Sequence, residues 1–177
     1  SYFGHLGHIV NRGISGDVAE IMAKRLEADV VQLNPRICVI LIGINNIHAE
    51  GAQFDTVKEV IMTSYRQILE RLCQTDTIPV VCSIMPIFGE NADVTQMRNS
   101  WILQINQELS ELCHSKDLVY VDYHENMVEQ DGCTLRHEFS WDGVHPHSVG
   151  YTCMASVLEP VLAELLKNGR RDANHVV

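Results

Sequence analysis

The run ICVILIG, Ile37–Gly43, decides the fold class. It is apolar without interruption and rich in β-branched residues, and a glycine closes it. A half-exposed strand would alternate with polar residues; an unbroken run of this length fits a strand buried on both faces, as in a parallel sheet covered by helices. A second run, IPVVCSI (Ile78–Ile84), repeats the pattern and is closed by Pro86. Between the two, Asp55–Cys73 places apolar residues at Val57, Val60, Ile61, Tyr65, Ile68, Leu69 and Leu72, the spacing of one helical face. Strand, helix, strand in this order is a βαβ unit.

The same alternation extends in both directions. HIVNRG (His8–Gly13) is a short apolar run ending in a turn, the expected first strand. Asp17 follows as the expected N-cap of a helix with Val18, Ile21, Met22 and Leu26 on one face. After Pro86, a polar stretch, FGENADVTQMRN, reads as a loop, and its Asn91–Asn99 part as a surface loop or lid. A helix follows with Trp101, Ile102, Ile105, Leu109 and Leu112 facing the core. Leu118–Tyr123 is a short strand suited to a sheet edge. A final helix spans about residues 148–166, and Pro160 inside it predicts a kink or a break. The expectation is one domain over residues 1–167, a three-layer α/β/α sandwich with a mostly parallel, flavodoxin-like sheet, and a polar tail at 168–177.

Bulk properties narrow the function. With 13 basic residues against 23 acidic and a formal net charge of -10, nucleic acid and anionic membrane are excluded as main partners. No stretch approaches the ~18 consecutive apolar residues of a membrane span. The six cysteines, at 38, 73, 82, 113, 133 and 153, contain no Cys-x-x-Cys pair. They read as reduced, structural residues in a cytoplasmic protein, although the sequence begins SYFGHLG without methionine and leaves a leader open. His145 and His147 flank a proline, but no third ligand accompanies them, and neither metal nor cofactor is implied.

Chemistry concentrates in three loops that follow strands, where ligands bind in open α/β sheets. These are NRGISGD (Asn11–Asp17), LIGINN (Leu41–Asn46) and WDGVHP (Trp141–Pro146). In order and position they resemble the second, third and fifth sequence blocks of the SGNH hydrolases, also called GDSL lipases and acylhydrolases. The resemblance implies cleavage of carboxylic esters through a serine-bound acyl intermediate. It makes His145 the general base, Asp142 its orienting carboxylate, and the Gly16 N–H and the Asn45 amide the oxyanion donors. Asn46 stands where the family has aspartate, which changes the support of that loop. Ile44, Asn46, Pro86 and Val144 are the expected pocket walls. The physics suits these roles: neutral, preorganised donors stabilise a developing oxyanion, each for about 10²–10³ in rate, and histidine exchanges protons near neutral pH.

The Gly-Asp-Ser block that carries the family's nucleophile is absent. Ser1 lies too close to Gly16 for a strand and a helix between them, and Ser15, Ser83, Ser140 and Ser148 are out of place in the pattern. A central strand of about six buried apolar residues contributes on the order of 10 kcal/mol, comparable with a whole domain's net stability of about 5–15 kcal/mol. The expectation is that the natural chain continues upstream by roughly 20–40 residues, one βα unit, carrying both strand and serine. The rival reading is a ligand-binding relative without a nucleophile. Within the enzyme reading, acetylated sugars and lysophospholipid are alternative substrates, the expected partner is a small-molecule ester, and a homodimer is open.

Overall fold

A computed structural model describes residues 2–172, with side chains to Lys167. Its sheet has three parallel strands in the order β1 (Ile37–Ile40), β2 (Ile78–Cys82) and β3 (Val119–Val121). Ile37 lies opposite Ile78, Val80 opposite Val119, and Cys82 opposite Val121. The alternation of β2 serves two cores at once. Val81 packs with Ile40, Ile61, Ile68 and Leu109 beneath helices α1 (Ala19–Asp29), α3 (Phe54–Leu72) and α4 (Ala92–Ser115). Val80 and Cys82 point the other way and pack with Val121, Leu158 and Leu162, under α5 (Tyr123–Met127) and α6 (Ser148–Asp172). Helices on both faces of a parallel sheet make the three-layer sandwich.

Several expectations are corrected. His8–Gly13 forms no strand; Ile9 and Val10 are 51% and 54% exposed. Among the described residues the run has no sheet neighbour to satisfy its backbone, and a strand without one gains nothing over solvated coil. Ile37–Ile40 of ICVILIG is a strand, but not buried on both faces: β1 is the end of the sheet, and Val39 is 42% exposed. Asn91–Asn99 is neither loop nor lid. The Asn91 side chain accepts the Val94 N–H at 3.0 Å and starts α4 at Ala92. The last helix runs through Pro160 without a break and reaches Asp172, inside the expected tail. Pro160 and Ser156 both face solvent, so water can accept the hydrogen-bonding role that the missing N–H vacates at the Ser156 carbonyl. By length and mean hydropathy (1.3), Ser148–Lys167 would suffice to cross a bilayer; here it forms one layer of the sandwich, its Ala155, Leu158 and Leu162 buried.

Two asparagines on α4 position the chain beyond β2. Asn106 accepts from the Ile84 N–H and donates to the Ile84 carbonyl, both at 2.8 Å. Asn99, two helical turns earlier, does the same for Ile87, both at 2.9 Å. The segment Ile84–Ile87 therefore has its polar backbone satisfied by side chains in place of a sheet partner.

Candidate active site

The Asp142–His145 pair lies in a loop that its own hydrogen bonds hold rigid. Asp142 Oδ1 accepts the backbone N–H of His145 at 2.8 Å and of Val144 at 2.9 Å. Asp142 Oδ2 lies 2.8 Å from His145 Nδ1. An ionised carboxylate can only accept, so Nδ1 carries the proton and Nε2 keeps its lone pair. The two backbone N–H groups, foremost that of His145, and then the imidazole hold the Asp142 carboxyl well below the usual carboxylate range. Asp142 is therefore ionised wherever an esterase works, and it fixes the tautomer a base requires.

Ser140, buried beneath the loop, ties it together. Its Oγ accepts the Gly143 N–H at 2.9 Å and donates to the His145 carbonyl at 2.8 Å. Gly143, at φ +81°, presses against Phe88 just beyond β2; a Cβ there would meet the Phe88 carbonyl oxygen at 2.1 Å. The Phe88 N–H donates to the Gly143 carbonyl at 3.1 Å. These contacts seat the Asp–His loop at the carboxyl end of β2.

The Asn45 side chain reaches the turn that holds Gly16. The Asn45 Nδ2 donates to the Asp17 carbonyl at 2.8 Å, one residue beyond Gly16, which sits in an exposed turn at φ +78°. One amide hydrogen of Asn45 fastens that turn, and the second has no recorded partner among the described residues. Asp17 is not the N-cap of α1; Val18 is, without a side-chain bond. Buried, Asp17 instead pairs with Arg25, whose Nε donates at 2.8 Å. The capping role passes to Asn46, whose Oδ1 accepts the Ala19 N–H at 3.0 Å while its Nδ2 donates to Glu20 Oε2 at 2.9 Å. Asn46 is thus turned to α1, and with Val18, Glu20, Ala49 and Val57 it lines a cavity of about 280 Å³. Pro86 is buried, and Ile44 and Val144 pack half-buried against the core.

Two residues that the sequence did not single out belong to this rim. His48 lies one turn beyond Asn45 in α2 (Ile44–His48), and its Nε2 is buried without a partner among the described residues. Burial first, then the neighbouring Arg98 and His145 side chains, pushes its pKa down. Its spacing from Asn45 was the available signal; Arg98 comes from α4 and carried none. Among the described residues, no serine hydroxyl is hydrogen-bonded to the His145 imidazole, whose recorded ring partner is Asp142. Ser83 is fully buried, bonded to Asp122 and the His124 N–H. Ser1 lies outside the described residues.

A parallel α/β/α sandwich with an aspartate–histidine pair in one loop, and an asparagine beyond β1 fastened to the turn that holds Gly16, is the plan of an acyl-transfer hydrolase. Residues 3–153 match the model of the GDSL-like Lipase/Acylhydrolase family, and the chain belongs to that family. It is similar to an acetylxylan esterase of Geobacillus stearothermophilus, 27% identical over 151 residues, covering 83% of this chain and 68% of that protein. It is also similar to the platelet-activating factor acetylhydrolase IB subunit alpha1 of Rattus norvegicus, 28% identical over 90% of this chain and 65% of that one. The chain thus spans about two thirds of the length of these relatives. The crystal structure of a GDSL-like lipase from Bacteroides thetaiotaomicron shares the fold, with TM-score 0.77 and 23% identity over 92% of this chain and 78% of that one.

Proposed function

We propose that the protein hydrolyses carboxylic esters of small molecules through a serine acyl-enzyme, with His145 as general base and acid. The observation that carries this reading is the 2.8 Å contact from Asp142 Oδ2 to His145 Nδ1, which leaves Nε2 as the free base at the rim. In the first half-reaction a serine Oγ adds to the ester carbonyl and passes its proton to Nε2. Asp142 stabilises the imidazolium that results. The carbonyl oxygen becomes an oxyanion, which the Gly16 N–H and the second Asn45 amide hydrogen would hold. The intermediate collapses, His145 protonates the leaving alcohol, and water repeats the sequence on the acyl-enzyme to release the acid.

The serine is assigned to a segment outside the described residues. The open edge of β1 supports this: a further parallel strand laid there would cover Val39 and end beside Asn45. Acetyl esters are the first substrates to try, because the acetylxylan esterase and the platelet-activating factor acetylhydrolase are both named for removing an acetyl group. The test is hydrolysis of p-nitrophenyl acetate by wild type and His145→Ala. The expected result is turnover in wild type and a loss of several orders of magnitude in kcat for the variant, with an unchanged circular dichroism spectrum. Equal rates in the two would remove His145 as base; a folded wild type without turnover would favour a ligand-binding relative.

A further inference from the structure

Asp17 is a buried residue on which both candidate oxyanion donors depend. Its N–H donates to the Ile14 carbonyl at 3.2 Å and closes the turn in which Gly16 stands at φ +78°. Its own carbonyl accepts one Asn45 Nδ2 hydrogen at 2.8 Å. Among the described residues, neither the Gly16 N–H nor the second Asn45 hydrogen has a recorded partner. The Asp17 carboxylate is gripped by Arg25 on α1, whose Nε lies 2.8 Å and Nη2 2.6 Å from Oδ2. From its other edge the same guanidinium donates through Nη1 to the Arg12 carbonyl at 2.9 Å. Nη1 also pairs with Asp29, one helical turn along α1, and Arg12 closes the ring through its own contact with Asp29. Arg25 thus holds the segment from Arg12 to Asp17 at both ends.

We infer that Arg25 is the positioning residue of the oxyanion hole. It sets the Gly16 turn and, through the Asp17 carbonyl, the Asn45 amide, without touching substrate. The inference rests on the acyl-hydrolysis reading for its effect on rate. Position, not charge, is what Arg25 supplies: Arg12 and Arg25 stand against Asp17 and Asp29, so the cluster brings no net charge to a developing oxyanion. A donor accelerates the reaction only when it already points to where the charge forms, with no reorganisation left to make. Gly16 does not supply that rigidity, since glycine enters the left-handed region freely and leaves it as freely. Packing does not supply it either. Ile14 is 59% exposed, and a Cβ on Gly16 would meet nothing within 4 Å. The hydrogen bonds to Asp17 and Arg12 remain. A desolvated ion pair adds little net stability, but a planar fork that reaches two places at once fixes geometry. Lysine carries its donors on a single nitrogen and cannot span from the Asp17 carboxylate to the Arg12 carbonyl.

The test is Arg25→Lys in the full chain, with Arg71→Lys as control. Arg71 of α3 makes a similar fork to Glu27 of α1, both contacts at 3.0 Å, with no recorded bond to the Gly16 turn among the described residues. For each protein kcat and KM are measured with p-nitrophenyl acetate well below its Tm. The proton–nitrogen heteronuclear NOE of the Gly16 amide is measured on labelled protein. Arg25→Lys should lose about tenfold to a hundredfold in kcat with KM within about twofold, the order expected when a donor is displaced. Its Gly16 NOE should fall while those of α3 hold, and Arg71→Lys should match wild type throughout. Asp17→Asn keeps an acceptor for Nε without the charge; it should fall between the two, and it carries the test if Arg25→Lys does not fold. An unchanged kcat, a loss confined to KM, or an equal loss in Arg71→Lys would overturn the inference. So would a Gly16 amide as rigid in Arg25→Lys as in wild type, or one already mobile in wild type. If wild type hydrolyses no ester while the Gly16 NOE still falls in Arg25→Lys, the hydrolysis reading fails and the clamp on the turn stands.

Discussion

Replacing Gly143 by alanine tests the seating of the catalytic loop. Two costs add at this position. The backbone lies at φ +81°, a region that costs a residue with a Cβ about 1–3 kcal/mol. The new methyl would stand 2.1 Å from the Phe88 carbonyl oxygen and 2.8 Å from its carbon, so backbone must move; overpacking of this kind costs about 1–3 kcal/mol. Together these give roughly 2–6 kcal/mol. At about 2–4 °C per kcal/mol for a domain of this size, Tm should fall by about 4–24 °C. Gly132→Ala is the control. Its φ is +70°, but nothing lies within 4 Å of the added Cβ, so only the same conformational cost of about 1–3 kcal/mol applies, without the overpacking. Thermal unfolding followed by circular dichroism compares the two. Midpoints that agree to within about 2 °C would show that Phe88 does not pin the loop, and the reasoning about how Asp142 and His145 are positioned would fail.

Further outcomes follow from other contacts. Asp142→Asn would present an N–H to His145 Nδ1 and invert the tautomer, lowering kcat by about 10⁴ while the fold persists; steady-state kinetics and a circular dichroism spectrum check both halves. Asn99→Ala or Asn106→Ala strands a buried N–H and carbonyl beyond β2 and should cost roughly 2–5 kcal/mol in urea unfolding. Asn46→Asp sets a carboxylate against Glu20, where an amide now donates, and should destabilise by about 1 kcal/mol; adding Glu20→Gln should restore most of the loss. Burial lowers the folded pKa of both His48 and His124, so the unfolded chain binds more protons near pH 6. Their contribution is present above the unfolded histidine value of about 6.5 and is lost as pH falls through it. Tm should decline between pH 7 and pH 5, less steeply in His48→Gln.

The parts of the molecule that could be read from the sequence are those whose cause is local. ICVILIG and IPVVCSI announce strands because all their positions but Ser83 are apolar, and Asp55–Cys73 announces a helix through its spacing. The Asp142–His145 pair was legible because both residues, and the N–H groups that hold the carboxylate, belong to one loop. What escaped depends on distant partners. His8–Gly13 has the composition of a strand, but pairing, not composition, makes one. Val39 belongs to a run that reads as central, and only the sheet order exposes it. The role of Asn46 depends on Ala19 and Glu20, and those of Asn99 and Asn106 on the chain beyond β2. Asn91, which caps α4 through the Val94 N–H, is why a polar-looking stretch is the start of a helix. Arg25 was visible as a letter, but its reach to the Asp17 carboxylate and the Arg12 carbonyl was not.

The central claim is that His145 activates a serine for acyl transfer. The most direct measurement is reaction of the full chain with a fluorophosphonate ester, followed by intact mass and peptide mapping, in wild type and His145→Ala. The account predicts a single phosphonyl adduct on one serine in wild type and its near absence in the variant. An adduct that forms equally fast in His145→Ala, or ester turnover by a wild type that takes up no phosphonate, would contradict it.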